Sequence, residues 1–271
     1  LPTVHLENEL EVYYEEAGRG MPILFLHPPG MGLVTFYYQQ ALADQFRVIA
    51  YDIRGHGYSG LTEEPLSIGL LAEDLLFFMN ALNIEKAVVC GYSAGGSIAL
   101  DFALKHPERM EALILSGGFS EVNDFWLRNE FKAGIALSNE KRLPFLAKAV
   151  SLGNRSTKAD TKMLYDYFMK SDPLTLRKLY KEGLDYNCTK HLPNIKCPLM
   201  VVEGQFAFYF HHYQMIFQSL VPNVETARVS KGFHELPMKF HDPFNHVVRT
   251  FLNKVLYSER STADSFKPAY S

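Results

Sequence analysis

The run Val89-Cys90-Gly91-Tyr92-Ser93-Ala94-Gly95-Gly96 constrains this chain more than any other segment. The apolar residues before it read as a buried strand over 86–90, and a helix follows from near Gly96 to about His106, closed by Pro107. A serine at the tip of a sharp strand-to-helix turn sits in a strained backbone conformation, where bulky residues two positions either side would clash. In return its Oγ stands clear of the sheet, and the helix N-terminus behind it favours developing negative charge. The strand–turn–helix context makes Gly91-x-Ser93-x-Gly95 a nucleophile turn. A glycine-rich turn built for close packing alone is the bland alternative.

The neighbouring sequence supplies a frame for that turn. Val4 to Glu15 alternates like an edge hairpin, and Pro22 to Leu26 and Phe46 to Tyr51 read as strands. Phe36 to Ala43 looks helical, Ile68 to Leu82 carries apolar residues at helical spacing, and Met110 to Ser116 is a further strand. The rhythm breaks at Gly117. From 119 to 192 the pattern is helical, interrupted at Gly153-Asn154 and Asp172-Pro173, with no convincing strand. Strands resume at Pro198 to Glu203 and Val224 to Val229, with helices over His211 to Leu220 and Pro237 to Val255. Strands alternating with helices predict a mostly parallel sheet flanked by helices, an α/β class. The block 119–192 is too long for a connection and predicts a helical cap inserted into a core formed by 1–118 and 193–258, with a polar tail over 259–271.

Composition excludes several classes. A net charge of -3 with no basic run argues against a nucleic-acid partner. No apolar stretch is long enough for a membrane span, and Leu1-Pro2-Thr3-Val4-His5 does not read as a secretory leader, so the expected location is cytoplasmic. Cys90 belongs to a strand core, while Cys188 and Cys197 lack a metal-ligand spacing, so no metal is expected. A small-molecule substrate is the expected partner, and self-association into a homo-oligomer stays open.

A serine hydroxyl needs a base. Among ten histidines, His234 follows the last strand in Gly232-Phe233-His234-Glu235 and precedes the last helix, which gives the chain order this chemistry requires. His211, His212, His241 and His246 lie in helical patterns, and His56 sits in a tight glycine-flanked turn with a structural role.

The His27-Pro28-Pro29-Gly30 segment, Asp52-x-Arg54-Gly55-His56-Gly57-x-Ser59, the Ser93 turn and Gly232-Phe233-His234 together resemble the α/β-hydrolase superfamily over roughly residues 10 to 256. The resemblance implies a catalytic Ser93 and His234, an oxyanion hole and no organic cofactor. It also implies an acid after the strand ending at Glu203, where the usual pattern is Gly-x-x-Asp. This chain reads Gly204-Gln205-Phe206-Ala207, so Ala207 stands where the carboxylate is expected. Three readings stay open: an engineered replacement, an acid supplied after the preceding strand by Glu121 or Asp124, or a natural hydrolase-like protein with weak or lost chemistry. Glu203 itself is a poor candidate for the acid. For the oxyanion hole, Ala94 would give one N–H. The second would come from Pro29, which has none, so either Gly30 or Met31 supplies the donor through a shifted loop or the hole is impaired.

The expected activity is hydrolysis of a carboxylic ester or related acyl bond of a small, largely apolar substrate through an acyl-enzyme. Carbon–carbon or amide bond hydrolysis on the same frame, and a catalytically weak ligand-binding protein, are the rivals. A dinucleotide site lacks its Gly-x-Gly-x-x-Gly. Phe125, Trp126, Phe131, Phe145, Tyr165, Tyr167 and Phe168 are the cap's aromatic supply, with Phe206, Phe208 and Tyr209 nearby.

Overall fold

In the computed structural model, which describes residues 2–265, strands β1 (Thr3–His5), β2 (Glu11–Ala17), β3 (Pro22–Leu26), β4 (Arg47–Tyr51), β5 (Ala87–Tyr92), β6 (Met110–Ser116), β7 (Leu199–Gly204) and β8 (Val224–Val229) form one sheet in the order β1-β2-β4-β3-β5-β6-β7-β8. β1, β2 and β4 pair antiparallel; all pairings from β4 through β8 are parallel. Every residue of β5, β6 and β7 is buried, because helices cover both faces. On one face Leu24, Val89 and Leu113 meet α1 (Ile68–Ala81) and α2 (Gly95–Lys105). On the other, Phe25, Cys90 and Ile114 share a core with Phe244, Val248 and Phe251.

Local chemistry sets the helix ends. Ser67 Oγ accepts from Leu70 N at the start of α1 (3.0 Å). Asn83 just beyond its end has φ +53, and Ile84 N reaches back to Met79 O (2.8 Å). Between β6 and β7 lie four α-helices, α3 (Phe125–Leu137), α4 (Leu143–Asn154), α5 (Lys158–Phe168) and α6 (Pro173–Asp185), and then a 3-10 helix over Thr189–Asn194. Both helix breaks expected in this block fall at helix ends: α4 stops at Asn154, and Asp172 caps α6 while Pro173 begins it. The two ends of this helical segment are tied by an isolated antiparallel bridge between Glu121 and Asn187 and by Cys188 N donating to Ser120 O (2.9 Å).

Three expectations need correction. The segment expected as a helix from Phe36 is a 3-10 helix over Leu33–Leu42 with a break at Phe36. The last helix divides at Phe240, whose φ of -122° leaves the helical range, into α8 (Leu236–Lys239) and α9 (His241–Ser265), with α7 (His211–Leu220) before them. α9 also continues past Val255, so 259–265 of the expected polar tail is helical; the remainder lies outside the described residues. Among the described residues no helix is long and apolar enough to cross a membrane.

Candidate active site

The parallel register brings the C-terminal ends of β3, β5, β6, β7 and β8 to one edge, and the loops beyond them carry the candidate residues. Ser93 follows β5 with φ +52, a region that disfavours side-chain-bearing residues. The strain is held by Ser93 N donating to Ser116 O (2.9 Å) and Gly96 N donating to Ser93 O (2.8 Å). The flanking glycines are sterically required. A Cβ on Gly91 would lie 2.5 Å from Gly96 Cα, and one on Gly95 would lie 2.2 Å from Leu26 O.

His234 sits between β8 and α8. Its Nδ1 is buried without a hydrogen-bond partner, and the ring is stacked on Phe210. Gly117, at φ +56 just beyond β6, abuts the same edge: a Cβ there would lie 2.5 Å from Nδ1. Burial lowers the His234 pKa to about 3, with no charged neighbour contributing, so the imidazole is neutral. The loop after β7 is anchored beside it, with Phe206 N donating to Gly232 O (2.8 Å), and Ala207 there is buried.

Neither carboxylate proposed as a substitute acid reaches His234. Glu121 accepts from Asn187 Nδ2 (2.8 Å) and Asn123 Nδ2 (3.3 Å) beside its bridge to Asn187. Asp124 caps α3, its Oδ1 accepting from Trp126 N (2.7 Å) and Leu127 N (3.0 Å). Those bonds are the first claims on carboxylates placed at a turn and a helix N-terminus. Glu203 is buried, and desolvation raises its pKa to about 8 against a lowering from Arg228 and from the Gln214 backbone N–H.

The loop after β3 is tightly braced. His27 Nδ1–H donates to Pro28 O (2.9 Å) and its Nε2 accepts from Ile53 N (3.0 Å), which assigns the neutral tautomer; burial lowers its pKa to about 3. Met31 N donates to Pro28 O (3.3 Å), so this turn already engages that N–H. Gly30 stands at φ +82 against the Phe168 ring, which a Cβ would meet at 2.2 Å. Asp52 accepts from Leu33 N (2.8 Å), Tyr58 N (3.0 Å) and Tyr167 Oη (2.7 Å), joining two loops of the core to α5. His56 has the structural place expected of it, with Nδ1–H donating to Arg54 O (3.0 Å).

Ser93, Ala94 and His234 line one cavity of about 350 Å³, roofed by α3, α4 and Tyr180 of α6. Its walls are mainly apolar, including Phe131, Leu137, Leu146 and Val150. Of the expected aromatic supply, Phe131 and Tyr209 reach this cavity. Phe125, Trp126 and Phe145 are largely exposed, and Tyr167 and Phe168 are buried against the 30–32 loop. Sequence reasoning missed Glu130 and Glu235, which face the same space, and Asn154, which accepts from Tyr92 Oη (3.0 Å). Enclosure and then Glu235 raise the Glu130 pKa. The adjacency of Glu235 to His234 was visible in the sequence, but nothing local signalled that α3 would bring Glu130 beside it.

A model of the alpha/beta hydrolase fold family matches residues 22–236. "Putative carbamate hydrolase RutD" of Azorhizobium caulinodans is 26% identical, covering 94% of this chain and 99% of its own. "Serine hydrolase BPHL" of Mus musculus is 27% identical, covering 90% and 84%. The crystal structure of the enol-lactonase from Burkholderia xenovorans LB400 superimposes with a TM-score of 0.81 at 23% identity, covering 93% of this chain and all of that one. With the family match spanning most of the sheet and both loops that carry Ser93 and His234, the chain belongs to the alpha/beta hydrolase fold family, as an enzyme of the hydrolase class.

Proposed function

We propose that the protein hydrolyses a carboxylic ester or related acyl bond of a largely apolar substrate, with Ser93 as nucleophile and His234 as general base. The observation that carries this reading is the convergence of a strained, glycine-flanked serine and a neutral histidine on one apolar cavity. Substrate enters beneath the helical insertion, which acts as a cap. His234 Nε2 takes the Ser93 proton as Oγ attacks the carbonyl carbon. The N–H groups of Ala94 and Gly30 hold the oxyanion; engagement of Met31 N favours Gly30 as the second donor. The alcohol or amine leaves with the proton from His234, and water, deprotonated by His234, then cleaves the acyl-enzyme. Two relatives that span most of this chain carry hydrolase names, one of them for a carbamate, which is itself an acyl compound.

The unpartnered His234 Nδ1 favours a second reading, an impaired hydrolase that binds ligand and turns it over slowly. Without a carboxylate at that edge, the imidazolium formed in the transition state lacks its counter-charge. The test is an ester-panel assay with active-site labelling by a fluorophosphonate. Labelling that vanishes in Ser93→Ala supports the nucleophile; a folded protein that neither labels nor turns over any ester, even after Ala207→Asp, sinks the hydrolase mechanism.

A further inference from the structure

Resting on the hydrolase reading above, we infer that Trp126 and Phe208 form an outer subsite for an elongated alkyl or aryl tail of the substrate whose carbonyl sits at Ser93. An open recess of about 440 Å³ is lined by Trp126, Glu130, Phe208 and Tyr209. Glu130 and Tyr209 also line the cavity that holds Ser93, so the two spaces adjoin across these side chains. Trp126 is 69% exposed and Phe208 70% exposed. One comes from α3 and the other from the 3-10 turn after β7, yet they flank the same recess. Each is held by an aromatic neighbour: Phe125 packs edge-on to Trp126 at 5.5 Å, and Phe206 packs on Phe208 at 6.1 Å.

Large exposed aromatics beside a concave opening mark a binding surface. The inner cavity lies at the low end of ligand-site volumes, which run from about 300 to 1,000 Å³. A substrate with a long tail overfills it, and Trp126 and Phe208 lie just across Glu130 and Tyr209 to receive the overflow. Apolar contact with two such rings favours a long-tailed ligand over a short one by about tenfold.

Trp126 is the chain's one tryptophan, so its emission reads occupancy of this subsite directly. The test titrates the Ser93→Ala protein with octananilide and with acetanilide, following Trp126 fluorescence, and repeats both with Phe208→Ala added. Octananilide is expected to shift the emission and to bind about tenfold more tightly than acetanilide, and Phe208→Ala to remove most of that preference while circular dichroism stays unchanged. An unchanged preference in the Phe208→Ala protein overturns the subsite. So does chain-length-independent binding accompanied by Phe208-dependent co-sedimentation with phosphatidylcholine vesicles, which would make the patch a lipid-docking surface. Because the titration needs no turnover, failure of the hydrolase mechanism leaves this result standing, and failure of the subsite leaves ester hydrolysis untouched.

Discussion

The imidazole of His234 lies parallel to the ring of Phe210, with centroids 4.3 Å apart and planes 3° from parallel. One face of the base is thus held by an aromatic plane, and Gly117 backs its Nδ1–Cε1 edge. This fixes the ring's orientation, a task that a carboxylate shares in Ser-His-acid triads, but it supplies no negative charge. Position and charge stabilisation are therefore separated in this site, and they can be tested separately.

Restoring charge is the first test. Ala207→Asp is expected to raise kcat on a responsive ester by about 10²–10⁴-fold, with a smaller effect on KM. A carboxylate at Nδ1 favours the imidazolium, so it raises the His234 pKa from its present value of about 3. The variant's kcat/KM should therefore fall on acidification at a higher pH than the parent's, as pH–rate profiles of the two proteins would show.

Glu203 should tie stability to pH. Its folded pKa of about 8 lies above its ordinary 4.5, so the folded state keeps a proton that the unfolded state releases. Its stabilising contribution is complete below about pH 4.5 and is lost as pH rises toward about 8. Relative to Glu203→Gln, the parent should lose on the order of a few kcal/mol between those limits. Urea unfolding of both proteins across that range measures the difference.

The buried pair of Arg54 and Asp74 should be costly to break. Arg54 Nε and Nη2 each lie 2.6 Å from an Asp74 oxygen, and both residues are buried. Arg54→Met leaves an uncompensated carboxylate in the interior and is expected to cost about 3–5 kcal/mol, read from the shift in denaturant midpoint at constant m-value.

Two glycines of the site should respond in opposite directions. Gly153 lies in the last turn of α4 beside the cavity, and a Cβ there meets nothing within 4 Å. Gly153→Ala should stabilise the fold by about 0.5–1 kcal/mol through helix propensity. Gly95→Ala drives a methyl against Leu26 O and should destabilise by about 2 kcal/mol or more while abolishing fluorophosphonate labelling of Ser93. Thermal unfolding and labelling of the two variants check both directions.

The parts legible in the chain were those governed by near neighbours. Continuous apolar runs marked β3, β5, β6 and β7 because strands buried on both faces carry no polar alternation. The Ser93 turn was legible because its steric demand falls on residues two positions away, and a Cβ added at either Gly91 or Gly95 would come within 3 Å of neighbouring backbone. Helix ends at Asn154 and Asp172 followed from residues within one turn. The absence of a carboxylate after β7 was equally plain at Ala207. What replaces it was not. That Glu121 is committed to Asn187, that Phe210 and Gly117 flank the imidazole, and that Glu130 and Glu235 line one cavity all depend on segments far apart in sequence. Local sterics and hydrophobic periodicity act within a few residues and so are written in the chain; the partners of a buried side chain are decided by how helices and loops pack against the sheet, which only the tertiary structure fixes.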